Sequence, residues 1–85
     1  MVKMKVNLTF DFHARPATFL VNKTIQYQSE INILFNGQKA NGKSILSVMA
    51  LEIIKGDLIE LIISGIDETE AKDGLQAFFI TYKDE

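Results

Sequence analysis

The sequence contains no cysteine, one proline and one histidine, and it never runs apolar for long. Without cysteine there is no disulfide frame, no thiolate nucleophile and no cysteine metal site. The absence fits a reducing compartment. No apolar run approaches the roughly 18–20 residues that cross a bilayer. The opening MVKMKVNLTF alternates too strictly to be the apolar core of a signal peptide. The expected protein is therefore soluble and cytoplasmic, with no membrane insertion. No linker, internal repeat or low-complexity segment divides it, and residues 1–85 read as a single domain. A body this small leaves little room for a deep, enclosed active site, so function is expected at the surface and with a partner.

What is present is strongly patterned. Val2, Met4, Val6 and Leu8 alternate with Lys3, Lys5 and Asn7, the period of a half-buried strand. Ala17, Leu20, Val21 and Thr24 then recur at helical spacing with Phe19 beside them, Pro16 falling in the first turn where its missing N–H is harmless. EINILF puts Ile31, Ile33 and Phe35 on one face of a second strand, and Asn36-Gly37 signals a hairpin into a short third strand, QKAN. Ser44 is a good N-cap for a short helix with Ile45, Val48, Met49 and Leu51 on its apolar face. DLIELIIS reads as a central fourth strand. Asp67 and Glu70 resemble a capping box for a last helix running to about Tyr82, with Ala71, Leu75, Phe78, Phe79 and Tyr82 inward. Gly74 weakens that helix by about 1 kcal/mol relative to Ala and allows close packing. The order β-α-β-β-α-β-α describes an α+β sandwich, helices on one face of an antiparallel sheet.

Charge is unevenly spread. The net value is −2, which argues against general nucleic-acid binding. Residues 1–43 carry +4 and residues 44–85 carry −6. The histidine lies in the positive half, where an acidic partner would be steered.

His13 is the first candidate for chemistry. A lone histidine is most often a residue without a role. A metal site lacks further ligands, and a Ser-His-Asp hydrolase lacks a nucleophile motif. Its neighbours alter that reading. It stands just before a helix whose N–H groups and positive dipole end attract anions. Arg15 adds planar donors suited to phosphate oxygens, and imidazole can carry a phosphoryl group covalently. Ser44 is explained as an N-cap, or as a phosphorylation site that would alter local charge by about −2. Ile45 and Met49 are four residues apart and fit core packing, whereas Leu46 is expected to be exposed and to form part of a docking patch. NGQKANGKS ends in G-K-S but is read as a hairpin closing into the second helix, not as a phosphate-binding loop. No cofactor and no metal is expected.

HARPAT, at residues 13–18, and NGKSILSVMALEIIKGD, at 41–57, resemble the two motifs of HPr, the histidine-containing phosphocarrier family of the bacterial phosphoenolpyruvate:sugar phosphotransferase system. The second motif has the form typical of Gram-positive members. The His13–Ser44 separation is also that of the family, and the likeness spans about residues 2–82 without gaps. The resemblance implies an open-faced β-sandwich with sheet order 1-4-2-3. It implies a monomer that is a phosphoryl-transfer intermediate, not an enzyme with its own turnover. Enzyme I would place a phosphoryl group on Nδ1 of His13, and a sugar-specific IIA domain would receive it. Arg15 would balance the phosphate charge and Pro16 would fix the start of the helix. Ser44 would match the serine modified by HPr kinase/phosphorylase, whose product engages a catabolite-control repressor. Thr18, Leu20, Ile45, Leu46 and Met49 would lie where partners dock.

The sequence also departs from the family pattern. Glycine is usual two places before the histidine, preceded by a small or polar residue. Here those places hold Asp11 and Phe10, and Ser47 stands where glycine is common. Asp11 is expected to disfavour the backbone angles glycine allows and to repel an incoming phosphoryl group. Phe10 is expected on the rim of the site. The alternative reading is a regulatory module resembling Crh, the HPr paralogue that acts through its serine and lacks the active histidine.

Overall fold

A computed structural model describes residues 1–82. The elements follow the expected order: β1 (Val2–Asn7), α1 (Ala14–Thr24), β2 (Glu30–Phe35), β3 (Gln38–Asn41), α2 (Ile45–Met49), β4 (Leu58–Ser64) and α3 (Glu68–Thr81). The strands form one antiparallel sheet in the order β1-β4-β2-β3.

The register explains the core. Ile63 lies opposite Val2 and Ile31, and Leu61 opposite Met4 and Ile33, so one face of the sheet carries an aliphatic row across three strands. Ile31, Ile33, Leu61 and Ile63 are fully buried there, beneath Leu20, Val48 and Leu75 from the three helices. Burying each such side chain contributes on the order of 1.5–3 kcal/mol. α1 packs against α2 on one side and α3 on the other. The hairpin between β2 and β3 has positive φ at both central residues, 51° at Asn36 and 77° at Gly37. That is the conformation for which Asn-Gly is selected.

Gly74 does permit close packing. A Cβ added there would lie 1.9 Å from the Tyr27 hydroxyl, so the phenol of the α1–β2 connection occupies the space a side chain would take.

Two local expectations are corrected. α2 ends at Met49, and Leu51 is buried from the turn beyond it, where Glu52 has a φ of 55°. Asp67 does stand at the N-cap position of α3, but its side chain makes no cap bond. Its carboxylate crosses to the α1–β2 connection. There it accepts from the Gln28 amide at 2.8 Å, the Ser29 amide at 2.9 Å and the Ser29 hydroxyl. Glu68, not Glu70, supplies the backward reach, accepting from the Gly65 amide at 3.1 Å.

Candidate functional site

The alternation of β1 does not stop where its ladder ends. Leu8, Phe10 and Phe12 are buried, while Thr9, Asp11 and His13 are exposed. A period of two is thus kept from the strand up to the first helix, and it delivers the histidine to the solvent side. Phe10 is therefore not on the rim of the site. It is core, with its ring 4.8 Å from Tyr82 and 5.5 Å from Phe12, in a cluster that includes Phe78 and Phe79. The β1–α1 loop is bolted from below onto α3. The signal was in the sequence, because the strict alternation beginning at Val2 continues without a break to His13.

From the side, the loop lies against the connection between α2 and β4. The Leu8 amide donates to the Asp57 carbonyl at 2.9 Å, and the Gly56 amide to the Leu8 carbonyl at 2.8 Å. Farther along, the Phe12 amide donates to the Ile53 carbonyl at 2.9 Å. Between these backbone links a side chain takes over: Asp11 Oδ1 accepts from the Lys55 amide at 2.7 Å. The non-glycine residues with positive φ are Asn36 and Glu52 among those described, so Asp11 sits in ordinary backbone and carries no strain from replacing glycine. At least one oxygen of its carboxylate is committed to Lys55.

His13 occupies the N-cap position of α1, with extended backbone (φ −84°, ψ −170°) and no side-chain cap bond. Its carbonyl accepts the first intrahelical bond, from Ala17 at 3.1 Å. Ala14 and Arg15 supply the leading amides that a helix directs outward. Pro16, third in the helix and buried, removes no bond from the helical ladder. The first turn holds no acidic residue, so the positive dipole end keeps its sign beside His13 and Arg15, both exposed. Thr18 is half-buried, its hydroxyl donating back to the Ala14 carbonyl at 2.8 Å. An exposed imidazole and an exposed guanidinium thus flank the leading amides at one helix N-terminus, groups able to receive a dianionic phosphoryl group.

α2 supplies the second group of residues. Ser44 caps it, with extended backbone and its hydroxyl accepting from the Ser47 amide at 3.2 Å. The Ser47 hydroxyl in turn accepts from the Asn41 amide at 2.9 Å, so serine in place of glycine at 47 ties the helix to β3. Leu46 is 80% exposed, while Ile45 and Met49 pack partly into the core. Leu20, expected among the partner-binding residues, is a correction. It is fully buried at the centre of α1 and offers no side-chain surface. The helical period that puts Ala17, Val21 and Thr24 inward carries Leu20 with them.

Letter by letter, Gly37 to Ser44 does satisfy G-x-x-x-x-G-K-S, so the sequence pattern alone does not exclude a phosphate loop. Its structural context excludes one. Residues 38–41 are strand β3 paired with β2, where such a motif needs an open loop. Gly42 is wedged against Ile31, donating to its carbonyl at 2.7 Å, and the Lys43 ammonium donates to the Tyr27 carbonyl at 2.7 Å. Among the described residues no group of His, Cys, Asp or Glu is placed to hold a metal ion, and no helix is long and apolar enough to cross a membrane.

The chain is similar to known proteins over most of its length. The family model for the PTS HPr component phosphorylation site matches residues 2–81. The phosphocarrier protein HPr of Buchnera aphidicola subsp. Baizongia pistaciae is 38% identical over 80 residues, covering 94% of both chains. The HPr-like protein Crh of Halalkalibacterium halodurans is 42% identical over 76 residues, covering 89% of this chain and 90% of its own. A solved histidine-containing phosphocarrier protein from Mycoplasma superposes with a TM-score of 0.88 at 31% identity, over 93% of this chain and 92% of its own.

Proposed function

The chain belongs to the HPr family of phosphotransferase-system phosphocarriers, which are not catalytic enzymes, and from that premise we propose that His13 is its phosphoryl acceptor. The donor is phosphorylated Enzyme I and the recipient is a histidine of a sugar-specific IIA domain. In the first step an imidazole nitrogen of His13 attacks phosphorus. The P–N bond to the donor breaks, and the donor nitrogen keeps the electron pair. The same exchange, with His13 as leaving group, passes the phosphoryl group on. Arg15 balances the charge of the transferred group, the leading amides of α1 receive its oxygens, and Pro16 sets the angle at which the helix begins. Ile45, Leu46 and Met49 of α2, with Thr18 of α1, form the docking surface.

The observation that carries this reading is the exposed His13 at the N-cap of a helix whose first turn holds Arg15 and no acid. Incubation with Enzyme I and phosphoenolpyruvate is expected to leave one acid-labile phosphate on the chain. His13→Ala is expected to take up none while its circular dichroism stays that of the wild type. An unlabelled wild type in the presence of active Enzyme I defeats the reading.

The similarity to a Crh protein supports a second, regulatory role at Ser44. Phosphate there would sit at the N-terminus of α2, altering local charge by about −2 and so the partners this surface accepts. HPr kinase/phosphorylase and a catabolite-control repressor are the partners that this role requires. Treatment with that kinase and ATP, read by mass spectrometry, tests it. Modification at Ser44 with none at His13 under Enzyme I would make the regulatory role the main one.

A further inference from the structure

We propose that Asp11 is a positioning residue for His13, acting through the Lys55 amide. The inference rests on His13 being the phosphoryl acceptor. Two residues before the histidine, the carboxylate of Asp11 accepts from Lys55 N at 2.7 Å across a sequence separation of 44. The placement of that bond matters. The β1–β4 ladder ends at Asn7 opposite Leu58, and the two chains stay paired through Leu8, Gly56 and Asp57. They are joined again at Phe12 and Ile53. Between those points Phe10 turns down into the aromatic cluster. The Asp11 side chain closes the gap, acting as the acceptor that a backbone carbonyl would be in a regular ladder.

The opposing connection is preorganised to receive it. Asp57 Oδ2 accepts from the Ile54 amide at 2.9 Å, and the Asp57 amide donates to the Ile54 carbonyl at 3.1 Å. Two successive amides, Ile54 and Lys55, are therefore each taken by a carboxylate, one from within the turn and one from the histidine loop. The turn is fixed from its own side, so the Asp11 bond transmits that fixity to the segment ending at His13. Glycine at this place has no side chain to make the bond. In this chain the departure from the family pattern is thus a strut. The Asp11 carboxylate acts by what it accepts from Lys55, and its negative charge is incidental.

That distinction is testable because asparagine keeps the acceptor oxygen and loses the charge. Initial rates of phosphorylation by Enzyme I would be compared for wild type, Asp11→Asn and Asp11→Ala, with amide hydrogen exchange at Lys55 and Phe12 measured on the same proteins. Asp11→Ala is expected to slow phosphorylation by roughly tenfold, since small misplacements of a reacting group are costly. Its Lys55 amide is expected to exchange about tenfold faster, the order expected for losing one hydrogen bond. Asp11→Asn is expected to stay within about twofold of wild type in rate, with both amides still protected. An Asn variant as slow as the Ala variant, or one faster than wild type, overturns the proposal, because charge would then be the operative property. An Ala variant with wild-type rate and wild-type exchange overturns it as well. If wild type accepts no phosphate, the proposal falls with the His13 reading, and the exchange data alone then show whether the strut exists.

Discussion

Leu20 and Leu46 are both leucines on helices that face the same side of the sheet, yet their environments are opposite. Leu20 is fully buried, and Leu46 is 80% exposed. Leu20→Ala is expected to cost about 2–5 kcal/mol through lost burial and the cavity left behind. Leu46→Ala is expected to stay within about 0.5 kcal/mol of wild type in stability while weakening the docking of partners. Urea unfolding read beside a binding measurement separates the two effects. Equal stability losses at both positions would contradict the assignment of Leu20 to the core and Leu46 to the surface. The sequence exposed this difference only partly. Period alone put Leu20 inward, but the resemblance carried it onto the partner surface, because a family motif records which positions recur and not which atoms are reachable. Phe10 departs from its expected place on the rim for a related reason. The family motif marks this segment as a loop, but alternation depends on extended backbone and not on having a paired neighbour.

At the scale of elements, α2 is the most dependent on its ends. It has five residues, too few to hold helical geometry without help, since helix nucleation is unfavourable and short helices are marginal. Ser44 satisfies one orphan amide at its start, and Ser47 fastens the first turn to β3 through Asn41. Ser44→Ala is expected to cost about 1 kcal/mol from loss of the cap alone, lowering the melting temperature by roughly 4–8 °C. Ser44→Asp keeps a capping oxygen and is expected to melt close to wild type. Differential scanning calorimetry on unphosphorylated protein checks both, and identical melting of the Ala variant and wild type would show that the cap contributes nothing. A Ser44→Ala variant used to block phosphorylation thus also loosens the helix that carries the proposed docking surface. The cap itself was legible from sequence, being a local bond between neighbours. The far reach of Asp67 was not, because Asp67 and Ser29 are brought together by sheet topology, 38 residues apart.

For the molecule as a whole, Asp67 couples stability to acidity. The Ser29 hydroxyl, followed by the Gln28 amide, holds its carboxyl below the ordinary aspartate value in the folded chain. A depressed folded pKa contributes stability that is fully present above the unfolded value of about 4. That contribution is lost as pH falls from there through the folded pKa. Urea denaturation from pH 6 to 2 is expected to show wild type losing stability below about pH 4, with part of that loss absent in Asp67→Asn. Parallel curves for the two proteins would contradict the linkage. The architecture around this tether was largely open to sequence reading, since the strands and the two long helices keep their hydrophobic period and the β2–β3 turn its Asn-Gly signal. What sequence could not supply were the side-chain struts, Asp11 to Lys55 and Asp67 to Ser29, whose partners are neighbours only after folding. The unbroken alternation from Val2 to His13 has one more consequence, and it concerns parity. With a period of two, adding or removing a single residue between Leu8 and Phe10 would exchange the two faces beyond it. The histidine would turn toward the core, and Phe10 and Phe12 toward water. Only changes by an even number of residues keep the histidine outside, so this stretch is constrained in its count of residues as firmly as in its choice of them.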